Sequence, residues 1–148
     1  MPMHAKCRGL YFLIPIVMAV WDITAIALSA RSNAIISAQL GEMFTIKVGE
    51  EAFIEAEDLT IAFVSVVEDS RCPIDVRCTW EGNARIVIRL SKNKNKSASI
   101  ELNTSRLLTR EGLYLDYRIE LVKLDPDRTS ANEIAEHEYR ASLIVSKP

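Results

Sequence analysis

The stretch Leu59-Thr-Ile-Ala-Phe-Val-Ser-Val-Val-Glu68 sets the fold class, together with its neighbour Ala84-Arg-Ile-Val-Ile-Arg-Leu90. In the second stretch Ala84, Ile86, Ile88 and Leu90 alternate with Arg85, Val87 and Arg89. That is the period of a strand with one face in a core. In the first, Leu59, Ile61 and Phe63 point one way while Val64 and Val66 point the other. Both sides are apolar, so it reads as a central strand, either buried on both faces or carrying a bulge near Ser65 that shifts its inward phase.

Working outward, Phe44 to Val48 and Ala52 to Ala56 flank Gly49 and read as a first short hairpin or a bent edge strand. The polar, lysine-bearing run Ser91 to Ser97 reads as a solvated hairpin tip leading into Ser99 to Asn103. Leu115 to Leu124 is expected as one long strand with Leu115, Tyr117, Ile119 and Leu121 inward, and Tyr139 to Val145 closes the domain with Tyr139, Ala141, Leu143 and Val145 inward. The sum is about seven strands in roughly 105 residues, which predicts an all-β fold: a β-sandwich, with a small β-barrel as runner-up.

The N-terminus opens with Lys6 and Arg8 and continues as an apolar run from Leu10 to Ala30, broken only by Asp22 and small hydroxyl residues. A charged start followed by a long apolar stretch reads as a signal peptide cut after a small residue such as Ala30 or Ala38. About 20 apolar residues also suffice to span a bilayer, so an uncleaved membrane anchor is the alternative. Asp22 would cost roughly 2.5–3.5 kcal/mol at the centre of a spanning helix, which favours cleavage. Residues 1–38 are therefore read as signal peptide or N-terminal anchor, and residues 39–148 as a single all-β domain exported to the periplasm or secreted. Any membrane association runs through the N-terminal segment alone.

Beyond residue 38 the chain holds 15 basic and 19 acidic side chains, a net charge of −4. Nucleic-acid binding draws most of its affinity from neutralised phosphates, and a mildly acidic domain offers no basic surface for that. No glycine-rich phosphate loop is present, and no cofactor is expected. With Cys7 ahead of the apolar run, Cys72 and Cys78 are the cysteines of the exported part and read as a disulfide. The seven residues from Cys72 to Cys78 would close a small ring, contributing about 2.4 kcal/mol by chain entropy, less any strain.

These cysteines lie in Glu68-Asp-Ser-Arg-Cys-Pro-Ile-Asp-Val-Arg-Cys-Thr-Trp-Glu-Gly-Asn-Ala84, between the two strands that set the fold. Trp80 stands close enough to pack over the bridge, and Gly82-Asn83 supplies turn chemistry. The pattern Asp69 to Pro73, Val76 to Trp80 and Gly82 to Ala84 resembles that of an uncharacterised family of small exported bacterial proteins, and Tyr139 to Val145 fits its closing strand. The resemblance implies export and a shared β fold and carries no binding or catalytic residue with it.

Three readings of the loop stand side by side. The plainest is a braced connection between strands. In a second, Glu68, Asp69, Asp75 and Glu81 hold calcium or another cation, although Arg71 and Arg77 can pair with those carboxylates. In the third, Arg71, Arg77 and Trp80 form an exposed contact patch for an extracytoplasmic protein or envelope component, since tryptophan and arginine dominate interface energetics. Catalysis has thin support. His137 is the only histidine beyond the leader, in a polar stretch, and pairs of carboxylates suited to a small hydrolase occur by chance in any acidic domain.

Overall fold

A computed structural model describes residues 35–93 and 96–147. The expected leader before residue 35 lies outside the described residues. Among the described residues nine strands form: β1 (Ile35–Ser37), β2 (Met43–Lys47), β3 (Glu51–Ile54), β4 (Leu59–Asp69), β5 (Ala84–Lys92), β6 (Lys96–Asn103), β7 (Glu111–Tyr114), β8 (Tyr117–Asp125) and β9 (Arg140–Ser146). They make two sheets, β1-β3-β4-β5-β6 and β2-β9-β8-β7, packed face to face as a β-sandwich. Among the described residues no helix is long and apolar enough to cross a membrane.

Alternation builds the core as expected. Ala84, Ile86, Ile88 and Leu90 from β5 meet Ile119, Leu121, Ala141, Leu143 and Val145 from β8 and β9, all fully buried. The two apolar sides of β4 have a specific cause. Its pairing with β5 slips between Phe63 and Ser65 and again between Val66 and Glu68. Val64 and Val67 are the extra residues at these bulges and stand exposed, whereas Phe63 is buried and Val66 packs against the core. A bulge near Ser65, not burial on both faces, explains the pattern.

Three expectations need correction. Gly49 does not close a hairpin, because β2 and β3 belong to different sheets and the connection crosses the sandwich. Leu115 is not inward. It takes φ +51° in the turn between β7 and β8 and is exposed, so the long strand begins at Tyr117. Strand pairing also begins before residue 39: β1 runs parallel to β3 from Ile35↔Glu51 to Ser37↔Phe53. A cut after Ala30 would keep β1, and one after Ala38 would remove it.

Three connections gather at one end of the sandwich, which we call the tip: β4–β5, β6–β7 and β8–β9. The other end is clasped by charge. Glu57 accepts from the buried Tyr117 hydroxyl at 2.6 Å and from Lys147 Nζ at 2.7 Å. Lys92 Nζ also reaches Glu57 and the Tyr117 hydroxyl, while both ammonium groups lie over the Tyr117 ring. The hydrogen bond from Lys147, then that from Tyr117, holds the Glu57 carboxyl down at about 2.

Candidate functional site

At the tip, the β4–β5 ladder runs on past its last strand pair, Asp69↔Ala84. Ser70 N–H donates to Asn83 O at 2.7 Å and Cys72 N–H to Glu81 O at 2.9 Å, drawing the two ends of the loop together. Gly82 makes this possible. It sits at φ +71°, and a Cβ there would lie 2.0 Å from Ser70 O, so no side chain fits without moving backbone. Asn83, buried beside it, accepts with Oδ1 from Thr104 N–H and Ser105 N–H, both at 3.1 Å, and donates to Asn103 Oδ1 at 2.8 Å. The pair read as turn chemistry is thus a close approach plus a side-chain plug that ties β4–β5 to β6–β7.

Arg71 is the centre of the support. Its Nε and Nη2 donate to the two carboxylate oxygens of Asp69 at 2.8 and 2.7 Å. Nη1 donates to Leu124 O at 2.6 Å and Nη2 to Pro126 O at 2.9 Å, so the guanidinium fastens the end of β8. Tyr139 Oη donates to Asp69 Oδ2 at 3.0 Å, and Arg128 Nη1 donates to Arg71 O at 3.0 Å. The side chains of Arg71 and Asp69 are only 12% and 8% exposed. Burial alone would raise the Asp69 carboxyl, but the hydrogen bonds and charge of Arg71 outweigh it and hold Asp69 below its ordinary range. Burial, then the bond to Asp69, pushes the Tyr139 phenol up to about 12.

Arg71 therefore does not belong to an exposed contact patch: its donors are committed inside the fold. The carboxylates of the cation reading are separated in the same way. Asp69 is taken by Arg71, while Asp75 accepts from Ser130 N–H at 2.8 Å and from its hydroxyl at 2.5 Å. Glu81 accepts from the Ser105 hydroxyl at 2.8 Å and Arg106 N–H at 3.1 Å, and Glu68 from the Ser70 hydroxyl at 3.2 Å. Among the described residues no group of three or more His, Cys, Asp or Glu side chains is placed to hold a metal ion. The cation site is withdrawn on this geometry. Hydrogen bonds from Ser130, and from Ser105 with Arg106, also lower Asp75 and Glu81. Carboxyls held low accept hydrogen bonds well and make poor general acids.

Cys72 and Cys78 form the expected disulfide, with Cα atoms 6.0 Å apart. Trp80 does not bury itself over the bridge: it is 63% exposed. Ile74, 70% exposed, and Val76 project from the same loop, where Arg77 is also exposed. On the β6–β7 loop, bound to this one through Glu81, Leu107 is 86% exposed and Leu108 is exposed as well. The tip thus carries apolar and aromatic side chains in water on backbone fastened from below. Single exposed apolar residues are ordinary, whereas here several stand on two loops that the hydrogen bonds of Glu81 link.

Searches against protein-family models, curated proteins and solved structures found no match to this chain.

Proposed function

We propose that this chain is an exported recognition module that binds an extracytoplasmic protein or envelope component through the disulfide-braced tip. The observation that carries the reading is Trp80, a large aromatic held 63% exposed on a loop closed by a disulfide and seated on the Asp69–Arg71–Tyr139 network. Fixing a loop before binding lowers the entropy that association must overcome. An exposed tryptophan offers large contact area with few torsions to freeze. Arg77, three residues earlier in the loop, is exposed as well, and Ile74 and Val76 add exposed apolar side chains. The disulfide is compatible with an oxidising compartment, and the loop's resemblance to small exported proteins supports the same placement.

The test is site-specific cross-linking in the cells that make the protein. A photo-reactive phenylalanine analogue replaces Trp80 in one variant and Leu113, an exposed residue of β7, in another. The expected result is a discrete adduct from position 80 that is absent at 113 and lost when Arg77→Ala is added. No adduct at 80, or the same adducts at both positions, would count against recognition by the tip.

A further inference from the structure

Among the described residues the sandwich has four edge strands, and they are not alike. β1, β2 and β7 are three, five and four residues long, whereas β6 runs for eight. It pairs with β5 from Lys92↔Lys96 to Arg85↔Asn103 with no slip in register. Proteins usually blunt a long edge with bulges, proline, charged side chains or short length, and of these β6 has only the charges of Lys96 and Glu101. Here both bulged strands, β4 and β8, lie inside the sheets, and the edge is straight and free of proline.

Two contacts show which backbone groups of β6 face outward. Tyr114 Oη bridges the β5–β6 pair by accepting from Lys92 N–H at 3.2 Å and donating to Lys96 O at 2.5 Å, which puts the even-numbered residues of β6 on the ladder with β5. At the other end Asn103 N–H donates to Thr109 O at 3.0 Å, away from β5. Hydrogen bonding alternates along an antiparallel strand. The N–H and C=O groups of Ser97, Ser99 and Glu101 therefore point off the sheet, and among the described residues they meet no partner strand.

We infer that this edge pairs with the β6 edge of a second copy, antiparallel about a two-fold axis at Ser99, joining the two larger sheets into one. The edge is complementary to itself. Ser99 and its mate exchange both backbone bonds, and Ser97 exchanges both with Glu101 of the second copy, setting a hydroxyl opposite a carboxylate. Ala98 falls opposite Ile100, and no like charges meet directly, which is the condition for stable cross-strand pairs. Strand pairing alone makes a small interface, of the size class of weak and transient encounters.

Sedimentation velocity on the full chain in mild detergent, from low to high micromolar concentration, tests the pairing. The expected result is a concentration-dependent dimer that Ser99→Pro abolishes while leaving the melting temperature unchanged, since the Ser99 N–H is not part of the β5 ladder. Ser97→Lys combined with Glu101→Lys sets lysines opposite one another in the dimer and changes exposed side chains of the monomer, at the loss of the surface pair between Arg85 and Glu101. It decides the matter should the proline variant fail to fold. A chain that stays monomeric throughout, or a dimer that survives the double lysine variant, would overturn the inference.

Discussion

The two halves of the tip loop are built differently. From Ser70 to Val76 nearly every residue is fastened: Arg71 to Asp69, Leu124 and Pro126, Ile74 N–H to Arg128 O at 2.9 Å, and Asp75 to Ser130. From Arg77 to Trp80 no hydrogen bond forms among the described residues, and the stretch is held by the bridge at Cys78 and by Glu81, which follows it. The first half transmits the rigidity of the sandwich, and the second presents side chains to solvent. Support and display are thus separated within one short loop, and a change on one side need not propagate to the other.

The largest effect is expected from breaking the fastened half. Arg71→Ala leaves the Asp69 carboxylate buried beside Tyr139 without its cation and frees the end of β8. Removing one partner of a buried ion pair costs about 3–5 kcal/mol, and chemical denaturation should show a loss of that size. A loss below about 1 kcal/mol, ordinary for a surface substitution, would mean the network is not the support described.

Breaking the displayed half should act locally. Cys72→Ser with Cys78→Ser removes at most about 2.4 kcal/mol by the chain-entropy estimate, and it loosens the segment bearing Trp80. In a Trp21→Phe background the anisotropy decay of Trp80 should gain a fast local component, while the β-sheet circular dichroism stays that of the parent. Collapse of the sheet signal, or an unchanged Trp80 decay, would put the bridge in a different role.

Much of the sandwich was legible because burial imposes its period on the sequence. The conflict of phase in Leu59 to Glu68 even marked the bulge, since only an extra residue returns Val66 to the core side after Phe63. β7 escaped notice because it is four residues long with Gly112 inside it, and Leu115 misled because a leucine at positive φ carries none of the Asn-Gly signature of a tight hairpin. β1 was missed because its three residues fall between the apolar run ending at Ala30 and residue 39, where the domain was expected to begin. At the tip, the disulfide followed from composition and compartment. The role of Arg71 did not, because its carbonyl acceptors lie 53 and 55 residues away in the chain. Nothing local distinguishes a guanidinium that pairs inward, Arg71, from one left in water, Arg77. The same holds for Trp80, whose exposure depends on how the three loops close around one another.

The central claim is that Trp80 is displayed by the fold and does not hold it together. Its most direct test is the melting temperature of Trp80→Ala in the intact chain, measured beside the parent protein. The expected change is under about 0.5 kcal/mol, or no more than about 2–4 °C for a domain of this size. A drop of ten degrees or more, of the order that Arg71→Ala should produce, would make Trp80 a core residue and contradict the account.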